Sequence, residues 1–99
     1  MTPHFNNLTP AEAERLAMLA EECAEVIQIV GKILRHGYDS HHPDNPATDN
    51  RDLLAKEITD VAAVTREMKR AELSDYQLAD TFGTVWRRKL GFTHHQEEN

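Results

Sequence analysis

Two short stretches carry acids at a spacing that can do chemistry: Glu21-Glu22-Cys23-Ala24-Glu25 and Glu57-Ile58-Thr59-Asp60. In a helix, residues three apart share a face, so each stretch presents neighbouring carboxylates to one side. Two such helices side by side would aim four carboxylates at one spot. Four like charges repel one another, and the arrangement makes sense around a hard cation, for which oxygen ligands suit Mg²⁺ or Mn²⁺.

The same residues admit a plainer reading. Glu21, Glu22 and Glu25 fall on one helical face with the apolar stripe roughly opposite, as on an ordinary solvated face. Glu57 and Asp60 differ, because they lie among Leu53, Val61 and Val64. Acids bordering an apolar stripe are costly unless paired or metal-bound. Arg51, Lys56 and Arg66 are available to pair with them, so a non-catalytic helical interaction protein with an ion-paired acidic face is the alternative.

The elements that must position these acids are helices. Thr9-Pro10-Ala11-Glu12 is a helix start: Thr9 caps, Pro10 suits the first helical position and Glu12 completes a capping box. The pattern runs to His36, and Gly37 is placed to end it as a left-handed cap. Its apolar stripe is Leu16, Leu19, Cys23, Val26, Ile27, Val30, Ile33 and Leu34, the spacing of a bundle seam, with Cys23 read as a small core residue. Such a helix spans roughly 40 Å. A compact monomer of this length has a radius of gyration near 13 Å, too short to cover it, so a dimer or tetramer is expected. Residues 37–50 read as a loop that is long for a compact domain, the kind that is often functional or mobile. A second helix is expected over about residues 51–71, started by Asp49 or Asn50. Ser74 and Gln77 form a further capping box, opening a third helix over 75–90 with Tyr76, Ala79, Phe82, Val85, Trp86 and Leu90 as packing residues and Gly91 as its cap. Residues 1–8 read as an arm and 92–99 as a polar tail. No stretch alternates as a strand does. The expected fold is all-α: one domain over 1–99, a bundle of about three main helices per chain completed by oligomerisation.

With 99 residues the chain buries a modest core. Its net charge of −6, from 17 acids and 11 Lys and Arg, argues against non-specific nucleic-acid binding. It does not exclude phosphorylated small molecules, since a bound cation reverses the sign of a site. A single cysteine, Cys23, permits no intrachain disulfide, no apolar run spans a membrane, and the N-terminus lacks signal-peptide features; a cytoplasmic setting is the expectation.

The E-E-x-x-E stretch at Glu21–Glu25, followed by E-x-x-D at Glu57–Asp60 on a second helix, resembles the MazG-like all-α nucleoside triphosphate pyrophosphohydrolases. Helical dUTPases, dCTP pyrophosphatases and phosphoribosyl-ATP pyrophosphohydrolase are relatives of that family. The resemblance covers about residues 10–90. It implies metal-dependent hydrolysis of a (deoxy)nucleoside triphosphate to the monophosphate and pyrophosphate. It also implies Glu22, Glu25, Glu57 and Asp60 as Mg²⁺ (or Mn²⁺) ligands and Glu21 as a neighbour that orients water. It implies homo-oligomers and a place in nucleotide-pool control, extending to phage-encoded, dGTP-directed members. The linker between the two motifs is longer here than in compact members and rich in His, Pro and Asp, which bears on the substrate more than on the chemistry.

Water attacking a phosphorus crowded by negative charge needs cations. Lys32 lies on the face of Glu25 about two turns on and is the first phosphate candidate, followed by Arg35; each also complements the helix dipole by position alone. Lys89, in the cluster Arg87-Arg88-Lys89, has the same two explanations. His41-His42 and His94-His95 are adjacent pairs, not the i,i+4 spacing that sets two ligands on one helical face, so neither is expected to bind the metal. Neither acidic helix carries the E-x-x-H of carboxylate-bridged di-iron bundles, and no glycine-rich phosphate loop is present. No motif names the preferred base or sugar.

Overall fold

The structure is a computed structural model and describes residues 6–73 and 82–97. The described residues form three helices: α1 (Pro10–His36), α2 (Asn50–Ala71) and α3 (Phe82–Leu90). No strand occurs among the described residues, so the chain is all-α as its periodicity indicates. The arm up to residue 5, the expected capping box at Ser74 and the expected start of the third helix lie outside the described residues.

Both long helices begin where their side chains compete best for exposed N–H groups. Thr9 Oγ1 accepts from the Glu12 N–H at 3.1 Å, and Glu12 returns the bond to the Thr9 N–H at 2.8 Å. Asp49 and Asp52 form the same reciprocal box at the start of α2, with an aspartate in the place usually taken by Glu or Gln. Gly37 ends α1 and gives its N–H to the Ile33 carbonyl at 2.6 Å. Its φ of 88° is open to glycine, but its ψ of 168° is extended, so the cap is not the left-handed one expected. α2 ends without glycine: the Glu72 and Leu73 N–H groups both bond to the Met68 carbonyl, at 2.7 and 2.9 Å.

α1 and α2 form an antiparallel hairpin. At one end Arg15 Nε meets Glu72 Oε1 at 2.5 Å. At the other, Asn50 Nδ2 donates to the Gly37 carbonyl at 3.0 Å. Between them Ile29 and Met68 are buried at 7% and 5% exposure, flanked by half-buried Leu19, Val26 and Ile33 from α1 and by Leu53, Leu54, Val61 and Val64 from α2. The loop joining the helices is held at its base. The Asn50 and Arg51 N–H groups, which α2 itself cannot satisfy, bond to the carbonyls of Ser40 and Tyr38 at 2.8 and 2.9 Å. Arg51 also lies over the Tyr38 ring at 4.5 Å and pairs with Asp39 at 3.3 Å.

The buried face of α1 differs from the expected one. Ile29 is its most buried residue and was not in the stripe, while Leu16, Cys23, Val30, Ile27 and Leu34 are exposed, the last two at 72% and 82%. The apolar arc of α1 is wider than one partner helix covers: α2 takes the edge that includes Ile29, and the rest faces outward. Cys23 is therefore not a core residue in this chain. α3 packs against neither α1 nor α2. Phe82 and Trp86, expected as packing residues, are exposed, whereas Val85 and Leu90 are half-buried. α3 closes at Gly91, whose N–H reaches the Arg88 carbonyl at 3.3 Å. The molecule measures 51 × 38 × 20 Å with a radius of gyration of 17.6 Å, more extended than the roughly 13 Å of a compact domain of this length.

Asn50 offers a test of the hairpin base. It is 1% exposed, and only its amide nitrogen is partnered. Asn50→Ala leaves the Gly37 carbonyl without that donor and should cost about 1–2 kcal/mol in urea unfolding. Asn50→Asp, nearly the same shape, places a carboxylate against that carbonyl and should cost more at pH 7 than the alanine variant.

Candidate metal centre

The hairpin brings four of the five sequence-chosen acids together. Glu22 and Glu25 stand one helical turn apart on α1, on the same side as Ile29. Glu57 and Asp60 stand one turn apart on α2, on the same side as Val61 and Val64. All four are half-buried, and one carboxylate oxygen from each lies within 4.8 Å of every other. The placement of Glu22 and Glu25 opposite the packed face, read from the apolar pattern, is corrected: they border the buried edge of α1. Glu21 is exposed and is not part of the group.

Several features set this cluster apart from a solvated acidic face. Glu57 has a side chain only 15% exposed. The Oε2 atoms of Glu22 and Glu57 are both shut off from solvent with no hydrogen-bond partner. A buried carboxylate oxygen without a donor is costly, and a cation is the partner that would satisfy several at once. The carboxyl of Glu25 is held above its ordinary range, first by a hydrogen bond to Glu57, then by the charges of Glu22 and Glu57. Two carboxylates that close share a proton when no cation separates them.

Among the described residues, Lys56 is the cation that reaches the group. Its Nζ lies 2.8 Å from Asp60 Oδ2 and 3.4 Å from Glu57 Oε1. One ammonium faces four carboxylates, and the orphaned oxygens remain. The donor set is all oxygen, which fits a hard divalent ion. An octahedral cation holds its oxygens at about 2.1 Å, which sets them roughly 3.0–4.2 Å apart. The group needs only a small contraction to match. These four carboxylates can hold a metal ion.

The basic residues are placed less directly. Lys32 is half-buried on the Glu25 side of α1, about 10 Å further along the axis. Arg35 is exposed and folds back along the helix, its Nη1 3.6 Å from where a Cβ on Gly31 would stand. Lys89 lies on α3, which the structure does not bring against the acidic helices. Ile29 was not in the expected stripe, and Asn50 was expected only as a possible start of α2. Asn50, Glu57, Val61, Val64 and Met68 recur at helical intervals on one face of α2, and that recurrence was the available signal.

A comparison of the chain with known protein families, curated proteins and solved structures returned no match.

The raised carboxyl of Glu25 fixes the sign of a pH effect. Its value in the unfolded chain is near 4.5, and in the fold it is higher. The folded state then binds more protons, so the metal-free fold loses stability as pH rises from 4.5 through the raised value. In chelator, thermal melts should show this loss between acidic and neutral pH, and Glu25→Gln should flatten it and raise Tm at pH 7.

Proposed function

We propose that this protein is a divalent-metal-dependent hydrolase of nucleoside triphosphates. In this reading it releases pyrophosphate and the nucleoside monophosphate, as in the MazG-like family that its two acidic motifs resemble. The observation that carries the reading is the convergence of Glu22, Glu25, Glu57 and Asp60 within 4.8 Å at a partly buried helix interface, with two of their oxygens unpartnered. Mg²⁺ or Mn²⁺ held there would lower the pKa of water and neutralise phosphate oxygens. The chain's own groups divide the remaining work. Glu22, Glu25, Glu57 and Asp60 hold the cation. Glu21, at the exposed edge one residue before Glu22, orients the attacking water. Lys32 and Arg35, toward the end of α1, receive the phosphates, and Lys89 remains a third candidate from α3. A cytoplasmic role in nucleotide-pool control follows from the same reading, with dGTP among the candidate substrates. Among the described residues no helix is long and apolar enough to cross a membrane.

The active species in this proposal is a homo-oligomer, a dimer or tetramer. The outward arc of α1, with Leu16, Ile27, Val30 and Leu34 exposed, continues through Ile58 on α2 at 53% exposure. Trp86 and Phe82 add exposed rings on α3. Apolar surface of this extent on a small monomer is surface awaiting cover, and a second copy supplies an equal surface by symmetry.

The ion pairs of Lys56 favour the second reading, an interaction protein whose acids form a charge-paired face. That reading leaves Glu22 and Glu25 without a cation partner among the described residues, and the two orphaned oxygens of Glu22 and Glu57 with them.

Pyrophosphate release from each NTP and dNTP with Mg²⁺ or Mn²⁺ separates the two. Turnover of at least one nucleotide is expected, with Glu57→Ala losing roughly 100-fold or more while its helical signal persists. No turnover by the wild type, or full activity in a folded Glu57→Ala, contradicts the enzyme reading. In light scattering, the wild type should exceed the 11.3 kDa chain mass at micromolar concentration. Ile27→Glu should shift it toward that mass.

A further inference from the structure

Lys56 occupies a position that neither a metal ligand nor a purely structural lysine requires. Its ammonium contacts both acids of α2, Asp60 at 2.8 Å and Glu57 at 3.4 Å. Its side chain is 63% exposed while Glu57 beside it is 15% exposed, so the charge enters the group from its solvent rim. The pairing with Asp60 is an i,i+4 contact with the base on the N-terminal side, the weaker orientation on a helix. Exposed pairs of this kind contribute little and break easily.

We propose that Lys56 is an exchangeable counter-cation: it holds Asp60 and Glu57 while the carboxylate group lacks a metal, and once a divalent ion takes them it turns to the phosphate anion bound at that ion. This rests on the metal-site reading of the four carboxylates. The physical logic is competition for the same oxygens. Asp60 Oδ2 and Glu57 Oε1 cannot each keep a short contact to an ammonium and to a divalent ion at full strength, and the doubly charged ion wins. The released ammonium stays on a flexible four-carbon stem anchored one residue before Glu57. It therefore remains within a side chain's reach of the ion and of any anion bound there. A lysine ammonium keeps its proton at neutral pH, so the charge is available in both states. A lysine that masks the acids in one state and meets the anion in the other also discourages binding of phosphate before the metal.

Lys56→Gln tests this with two probes, Mn²⁺ alone and inorganic pyrophosphate added to the Mn²⁺-saturated protein. Both are read by calorimetry, with circular dichroism confirming the fold. The variant should bind Mn²⁺ about two- to fivefold more tightly than the wild type, because the competing ammonium is gone. Its Mn²⁺-loaded form should bind pyrophosphate about tenfold more weakly. Lys69→Gln makes the same charge change on the same helix about 20 Å away and should leave both affinities nearly unchanged. Unchanged affinity for either probe in folded Lys56→Gln overturns the proposal, as does an equal response in Lys69→Gln. Failure of the wild type to bind Mn²⁺ at all instead removes the metal site itself, and the proposal with it.

Discussion

Mutual repulsion among four carboxylates at the α1–α2 interface is the constraint on which the rest of this structure depends. Glu22, Glu25, Glu57 and Asp60 sit where a small hairpin would otherwise place apolar side chains, one turn from Ile29 and Val61. A hairpin with so few buried residues tolerates four converging charges poorly. The local answers are partly visible: Glu57 and Glu22 beside it hold the Glu25 carboxyl above its ordinary range, and Lys56 leans over the α2 pair. Both are partial, since Oε2 of Glu22 and of Glu57 stays enclosed and unpartnered.

The hairpin is braced at its two ends so that its middle can carry this group. Arg15 and Glu72 tie the start of α1 to the end of α2. Asn50, fully enclosed, ties the start of α2 to the turn at Gly37, and the loop carbonyls of Tyr38 and Ser40 cap the first α2 amides. Asn50 and Met68 mark the two ends of the α2 face on which Glu57 stands between them. The order of forces along the hairpin is thus polar clamp, acidic middle and apolar patches beside it, an arrangement suited to a preformed binding site.

Much of this was legible in the chain. The boundaries of α1 followed from Thr9, Pro10, Glu12 and Gly37, because caps are local chemistry. The two acidic stretches were legible from their spacing on two helices, and the choice of Glu22, Glu25, Glu57 and Asp60 among their five acids came from the resemblance to the MazG-like family. What the sequence could not convey is which part of a wide apolar arc meets which neighbour. Leu16, Cys23, Ile27 and Leu34 have the period of a core stripe and face outward, since one partner helix covers only the edge around Ile29. The same ambiguity placed Glu22 and Glu25 on the wrong side of the packed face. Asn50 was expected only as a possible start of α2, because a polar side chain is not counted with a core even where it keeps the period of Val61, Val64 and Met68. In the proposed assembly the outward arc is where copies meet, which would reconcile the helix pattern with a hairpin that leaves half of it bare.

Anomalous scattering from crystals grown with Mn²⁺ tests most directly whether a divalent cation belongs among these carboxylates. A single strong site, or a close pair, is expected at about 2.2 Å from oxygens of Glu22, Glu25, Glu57 and Asp60, with Lys56 Nζ withdrawn from Asp60. A map with no manganese there, and Lys56 still seated on Asp60, would contradict the metal-site reading.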